Sequence, residues 1–449
     1  MSSEARLANN EATIDYRDLV VIGSGMAAIR LVETLRKRGD CRSIVLLGAE
    51  RALPYNRILL SPLLGGEIAW QQLISHPAEW YEQQNIELRL GHTVSAIDRE
   101  LRRVHCEGGY SVVYGQLVFA TGARAALPRL PGIDLPGVTV FRSVADVTRL
   151  QQACTQRGRA VVLGGGLLGL EAAVALALRG MSVTLVHRAN QLMNRQLDAV
   201  AANYLQRAIE RRGVRIITGR APIAVQAGEC NDEQRASGVV LQGDELLPAD
   251  LVVVATGIEP LTDLARMANL PVARGIVVDN AMATSDAAIF ALGECCERDG
   301  ETVGLVAPIW QQVEVLAANL CGEAQQFTHQ PYVTMLKVSG IDVHVMGEVD
   351  AIVDTGLATT DGVRMLAYQD RERGIYKKLL LRDGCVIGAL LFGDIADSQL
   401  FFRLIQQKTA VGSDHCRLLV AGEVAAGDTV AGALSSQLNL ASQLDLASA

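Results

Sequence analysis

The 449-residue chain has no C-x-x-C pair, no long run of lysine and arginine, and no uncharged apolar stretch long enough to span a bilayer. Each absence removes a class of function. Nine cysteines is an odd number. Without close spacing they supply neither a disulfide framework nor the ligands of an iron–sulfur cluster or structural zinc. Reduced thiols in a cytoplasmic protein are expected, with no bound metal. Lysine plus arginine number 41 against 49 aspartates and glutamates, a net charge of −8. Mild acidity spread along the chain argues against nucleic acid or an anionic membrane as partner, since both need basic patches. The polar, acidic start (MSSEARLANNEATIDYRD) reads as neither a signal nor a transit peptide. The most apolar stretch, AVVLGGGLLGLEAAVALAL at 160–178, carries Glu171 and four glycines. It reads as a buried strand, a tight turn and a helix rather than a span.

What is present is an internal repeat. Hydrophobic residues are 49% and charged residues 20% of the chain, a globular composition, and the length suits two to four domains. Residues 18–22 (DLVVI) lead into GSGMAAIRLVETLRKRG and then SIVLL at 43–47. Residues 160–163 (AVVL) lead into GGGLLGLEAAVALALRG and then SVTLV at 182–186. Each is strand, glycine turn, amphipathic helix and strand, the unit of a doubly wound parallel sheet. Each is later followed by a strand ending in Ala-Thr-Gly, LVFATG at 117–122 and LVVVATG at 251–257, at nearly equal distances. The Pro/Gly-rich stretch 126–137 reads as a domain crossing. A helix is expected over 198–212, capped by Asp198 and stopped by Gly213, and a polar loop around 230–237. From about 330 there are five short β-like runs, with a hairpin turn at Arg382-Asp383-Gly384 and a helix over 396–408. The tail after 421, rich in Ala, Gly, Ser and Leu, is left open between weak helix and disorder.

Gly23, Gly25 and Ala28 fit G-x-G-x-x-G/A between a strand and a helix. The first glycine makes the turn, the second admits a pyrophosphate to the backbone, and the third position lets helix and strand pack closely. Gly164, Gly166 and Gly169 repeat the pattern. One match is weak; two in the same context are specific for dinucleotide binding. An acid about 20 residues on should hold ribose hydroxyls, which makes Glu50 the candidate at the first site. The second site offers His187 and Arg188 in that place. Arginine there can pair with a 2′-phosphate or be a plain surface residue, and nicotinamide choice stays open. In AAIFALGECCE (287–297), Gly293 and Glu294 end a strand where a carboxylate can accept from the hydroxyls of an extended ribityl chain.

At these residues the chain resembles the two-dinucleotide-binding flavoproteins of the pyridine-nucleotide oxidoreductase family. Gly23–Ala28, Ala120–Gly122 and Phe290–Glu294 match its FAD signatures, and Gly164–Glu171 its NAD(P)H signature. Four further segments resemble one branch: PYNRILLSPLLGGE (54–67), VHRANQLMNRQLD (186–198), GLVAPIWQQ (304–312) and the module at 336–394. That branch comprises the FAD/NAD(P)H region of assimilatory nitrite reductases and the electron-transfer subunit of assimilatory nitrate reductase. The resemblance implies an α/β fold of two doubly wound Rossmann-like domains plus a C-terminal α+β module. FAD-binding would fall to 1–124 and 255–325, NAD(P)H-binding to 125–254, a β-rich module to 326–410, and a tail to 411–449.

It further implies that Arg57 reaches FAD, that Thr121 and Gly122 pass close to it, and that Gly257 marks the matching corner of the second half. The helix opened by APIWQQ would aim its amides at the flavin pyrimidine edge. Trp310 would pack on the flavin or, as readily, be a core or interface residue. Glu171 would orient the nicotinamide carboxamide. NADH, with NADPH possible, would reduce FAD, and electrons would pass to a metal-containing partner, assimilatory nitrate reductase. No side chain would act as a catalytic acid or base. The C-terminal module would dock the partner or, equally, form a dimer interface. Three departures matter. Rubredoxin- and ferredoxin-reductase relatives usually follow Tyr-x-Arg with Pro-Pro-Leu-Ser-Lys, where this chain has Ile58-Leu59-Leu60-Ser61-Pro62. Full nitrite reductases continue into cysteine motifs for a cluster and sirohaem, which are absent here, so nitrite reduction by this chain alone is not expected. Disulfide-reductase chemistry also lacks its cysteine, and adjacent Cys295 and Cys296 read as two buried thiols. A rubredoxin or ferredoxin reductase is the second reading, and a non-enzymatic, flavin-bearing NADH sensor the third.

Overall fold

A computed structural model describes residues 15–230, 233–328, 331–338, 340–353, 362–411 and 418–419. The chain divides into two compact units, Met1–Leu192 with Ala208–Gln330, and Met193–Arg207 with Pro331–Ala449.

The first unit holds both copies of the repeat. Tyr16–Ile22 lies between Ile44–Gly48 and Ser111–Phe119, all parallel, with Ile86–Leu90 parallel beyond Ile44–Gly48. Short Ile289–Ala291 adds in parallel to Ser111–Phe119. Leu19–Ile22, Ile44–Gly48 and Leu117–Phe119 are buried throughout, which is why they read as unbroken apolar runs rather than alternating ones. The helix Met26–Lys37 covers the sheet through Ala28, Ile29, Leu31, Val32 and Leu35, an i, i+3, i+4, i+7 stripe. Val94–Asp98 and Arg103–Cys106 extend the sheet as an antiparallel ribbon.

The second copy repeats this plan: Val214–Thr218, Ser182–His187, Arg159–Leu163, Leu251–Val254 and Val138–Val140 in spatial order, all parallel. Its helix, Leu167–Leu178, is buried on nearly all sides. Two short strands, Ala123–Ala125 and Ile258–Pro260, pair antiparallel where the chain crosses between the copies. The expected polar loop at 230–237 is a correction. Pro222–Cys230 and Glu233–Leu241 form an antiparallel hairpin, with 231–232 outside the described residues. One face of that ribbon buries Val225, Ala236, Val239 and Leu241 while the other stays wet, so its mean composition resembles a loop's.

In the second unit all five expected β runs are strands of one antiparallel sheet, ordered Val333–Val338, Ile341–Gly347, Cys385–Phe392, Ile375–Arg382, Val363–Asp370. Asp383 (φ 51°) and Gly384 (φ 75°) form its tight turn. The helix Ser398–Gln407 lays Phe401, Leu404 and Ile405 on Leu379, Leu381 and Leu391. Asp198 caps the helix Ala199–Glu210, its Oδ1 accepting from the Ala201 amide at 2.9 Å. Ile375–Arg382 carries two adjacent buried lysines on opposite faces. Lys377 bonds Asp397 at 2.6 Å and Asp394 at 2.8 Å. Lys378 reaches Asp198 at 3.1 Å and the Ile352 carbonyl at 2.7 Å, and Tyr376 donates to the same Asp198 oxygen at 2.8 Å. The N-terminal residues and almost all of the tail after 411 lie outside the described residues.

Candidate functional site

The two glycine turns match bond for bond. Gly23 (φ 115°) donates to the Leu47 carbonyl at 2.8 Å, and Gly164 (φ 123°) to that of Val186 at 2.9 Å. A Cβ on either would stand 2.2 Å from a carbonyl oxygen, of Ala120 or of Ala255. The Ala-Thr-Gly corners therefore fix the first glycines. The third positions differ: Ala28 fits fully buried, whereas a Cβ on Gly169 would lie 2.0 Å from the Gly164 oxygen. Gly25 and Gly166 cap the two helices in extended conformation, with no side-chain cap and nothing within 4 Å of an added Cβ. Each helix thus presents unclaimed N-terminal amides to open space, the environment a pyrophosphate needs. The residues present fit two dinucleotides.

Beyond the first turn, the strand Ile44–Gly48 delivers Glu50 into a polar cluster. Its carboxylate accepts from the Tyr55 hydroxyl at 2.9 Å and pairs with the Arg57 guanidinium. Arg57 also donates to the Tyr55 oxygen at 3.1 Å and to the Arg142 carbonyl at 2.9 Å. Burial pushes the Tyr55 phenol up to about 12, so it stays a donor to Glu50. Glu294 pairs with the Arg142 guanidinium, which also donates to the Ala123 carbonyl at 3.1 Å. Gly122 (φ 69°) runs beside that carboxylate, and Thr121 donates to the Leu261 carbonyl at 2.9 Å. Gly293 (φ 84°) is held by the Gln312 side chain at 2.8 Å. Thus Glu50, Arg57, Gly122 and Glu294 come together through Tyr55 and Arg142. Neither of these two connecting residues is assigned a role by sequence reasoning. Tyr55 lies within the family-like segment 54–67, but Arg142 lies in no motif, and its only local signal is the capping box at Ser143 and Asp146.

At the second turn, His187 ends its strand and folds back so that Nδ1 accepts from the Gly165 amide at 3.1 Å. Arg188 comes next, exposed. Glu171, one turn into the second fingerprint helix, accepts from the Ser61 hydroxyl at 2.7 Å, joining the second copy to the helix Leu60–Gly65 of the first. Burial pushes its carboxyl up to about 7, with Ser61 offsetting part of the rise. Gly257 (φ 143°) accepts from the Ala126 amide at 2.9 Å in the crossing between copies. Trp310 sits in the first turns of the helix Val306–Leu320, partly buried against the core, with the Arg30 guanidinium 5.7 Å from its ring centre. That helix also lacks a side-chain cap and carries no acid in its first turn. Cys295 and Cys296 are buried free thiols. Among the described residues no group of three or more His, Cys, Asp or Glu could hold a metal ion, and no helix is long and apolar enough to cross a membrane.

The family described as pyridine nucleotide-disulphide oxidoreductase matches residues 17–326, and the rubredoxin NAD+ reductase C-terminal domain matches 333–409. A nitrite reductase [NAD(P)H] of Bacillus subtilis is 37% identical over 88% of this chain and 48% of its own length. An assimilatory nitrate reductase electron transfer subunit of the same organism is 35% identical over 87% of this chain and 49% of its own. The chain therefore spans about half the length of these relatives. The crystal structure of a ferredoxin reductase from Rhodopseudomonas palustris, serving a CYP199A2 system, superposes with a TM-score of 0.78 at 28% identity, over 89% of this chain and 97% of that one. With two open glycine-turn helices in one unit and a family match along most of its length, this chain belongs to the pyridine nucleotide-disulphide oxidoreductase family.

Proposed function

We propose that this chain is an electron-transfer component that takes hydride from NAD(P)H at the second fingerprint, holds FAD at the first, and delivers electrons to a metal-containing partner, assimilatory nitrate reductase. The carrying observation is the pairing of two uncapped, open helix N-termini with different flanking chemistry: an acid cluster beside the first, His187-Arg188 beside the second. Residues 1–124 with 255–325 would form the FAD half, 125–254 the NAD(P)H half, and 326–410 the module that meets the partner. Gly25 and the amides of Met26–Lys37 would hold the FAD pyrophosphate, with Glu50 taking ribose hydroxyls and Arg57 oriented by Tyr55. Glu294, positioned by Arg142, would take ribityl hydroxyls where Thr121, Gly122 and Gly293 bring the backbone close. Bound FAD supplies the exchange between a two-electron donor and one-electron acceptors. The amides opening Val306–Leu320 would stabilise negative charge at the flavin pyrimidine edge, with Trp310 lining that side. Glu171, held by Ser61, would orient the nicotinamide carboxamide.

The nitrate-assimilation partner is supported by the two Bacillus subtilis relatives, and the segment 54–67 departs from the lysine-bearing pattern of rubredoxin- and ferredoxin-reductase relatives. A carrier-protein partner is the second reading, favoured by the ferredoxin reductase superposition and the rubredoxin-reductase C-terminal match. Anaerobic absorbance titration of the purified protein with each nicotinamide nucleotide tests the donor half. Mixing the reduced protein with nitrate reductase, rubredoxin or a ferredoxin tests the acceptor. Reoxidation by nitrate reductase at least tenfold faster than by either carrier supports the proposal; the reverse ranking establishes the second reading.

A further inference from the structure

Among the described residues Gln312 is the only asparagine or glutamine that is buried, 1% exposed in the helix Val306–Leu320. Burying a side-chain amide is unfavourable unless it finds a bond inside the protein. Its Oε1 accepts from the Gly293 amide at 2.8 Å, and the Cys296 sulfur lies 3.8 Å from the same atom. A backbone amide only donates, so the atom that meets Gly293 is the oxygen. Gly293, at φ 84°, opens the short turn that carries Glu294.

The same turn is tied from behind at further points. The Leu292 amide donates to the Phe119 carbonyl at 3.0 Å, which seats the strand end on the first sheet. The Cys295 and Cys296 thiols donate to the carbonyls of Leu292 and Gly293, each three residues back, at 3.2 and 3.3 Å. Leu292, Gly293, Cys295 and Cys296 are all buried, and Glu294 between them is not. Its carboxylate, paired with Arg142, faces the close approach of Gly122, where a Cβ would lie 3.6 Å from Glu294 Oε2. These bonds need no ligand to form. Gln312 adds a link to a second element, because its helix carries Trp310 and uncapped amides in its first turns. The acid for the ribityl hydroxyls and the helix end for the flavin edge are therefore joined by one buried side chain.

We propose that Gln312 is a positioning residue for FAD: by taking the Gly293 amide it presets the Glu294 carboxylate before the cofactor arrives. The proposal rests on placing FAD at the first fingerprint. It is tested by fluorescence titration of the apoprotein with FAD in the wild type, Gln312→Met, Glu294→Gln and the double variant. Methionine keeps the length of the side chain and lacks the carbonyl oxygen. Gln312→Met is expected to weaken FAD binding at least tenfold. The double variant is expected to lose at least threefold less than the product of the single losses, since a carboxylate out of place has already stopped contributing. A smaller loss in Gln312→Met, or losses that multiply, overturns the proposal. Should Gln312→Met fail to fold, amide hydrogen exchange in the wild-type apoprotein decides. Gly293 exchanging at least a hundredfold slower than exposed Gly300 supports a preset turn, and a smaller difference overturns it. Gly25→Val, run alongside, separates the two failures. If it binds FAD as tightly as the wild type, the placement falls and the positioning role with it. If it loses FAD while Gln312→Met keeps full affinity, the positioning role alone falls.

Discussion

Ser61 and Glu171 meet at 2.7 Å, hydroxyl to carboxylate, and so tie a helix of the first dinucleotide copy to the fingerprint helix of the second. The carboxyl is pushed up from the ordinary 4.5 to about 7 by burial. A folded state that holds this proton more tightly than the unfolded chain loses stability as pH rises between those values. Glu171→Gln should remove that loss. The variant's melting temperature is expected to gain on the wild type between pH 5 and pH 8, equivalent to at most about 3 kcal/mol. Equal pH dependence in the two proteins would mean the carboxyl titrates normally.

The glycine turns predict a sharp split among four substitutions. Gly25→Val and Gly166→Val add a side chain to open space at negative φ, so thermal stability should change by less than about 1 kcal/mol. Gly25→Val should emerge without FAD, and Gly166→Val should stay yellow but resist bleaching by NAD(P)H. Gly23→Ala and Gly164→Ala, by contrast, collide with backbone 2.2 Å away at positive φ and should lose ~3 kcal/mol or more by denaturant unfolding. Loss of flavin from Gly166→Val would reverse the assignment of the two sites.

Arg142 is the guanidinium that positions Glu294. Arg142→Ala should weaken FAD retention by about tenfold or more, as read by fluorescence titration of the apoprotein. That loss corresponds to ~1.4 kcal/mol. Arg142→Lys should recover only part, because one ammonium cannot serve both Glu294 and the Ala123 carbonyl in the same geometry. Unchanged affinity in Arg142→Ala would remove this residue from the site.

Lys378 and Asp198 form a buried ion pair, 1% and 2% exposed. Lys378→Met should cost about 3–5 kcal/mol by leaving the carboxylate unpaired. The double variant Asp198→Asn, Lys378→Met should cost at least about 1 kcal/mol less than the two single losses combined. Additive losses would show that the pair is not coupled. The measurement is chemical denaturation monitored through the second unit's near-ultraviolet signal.

Much of this architecture is legible in the chain. Both glycine turns, the four strands that frame them, the five C-terminal strands and the Asp383-Gly384 turn come from local rules of steric freedom and apolar runs. The features that escape sequence reasoning depend on contacts distant in sequence. Arg142 reaches Glu294 from a segment with no motif, and Ser61 meets Glu171 only once the two copies pack. The Pro222–Cys230 hairpin reads as a loop because a ribbon wet on one face has a polar average. Asp198 looks like a helix cap and is one, but its second oxygen serves Lys378 and Tyr376, a duty that capping rules cannot show.

Reduced flavin in air generates peroxide, so thiols beside a flavin site are the ones exposed to it first. The reactive species is the thiolate, and oxidation climbs from there toward acids that do not revert. Cys295 and Cys296 adjoin Glu294, yet burial holds both thiols above the ordinary range and their sulfurs face carbonyls of Leu292 and Gly293. They stay protonated where oxidant would be made. Cys41, by contrast, is exposed on the surface, where an oxidant in solution reaches it without passing through the core.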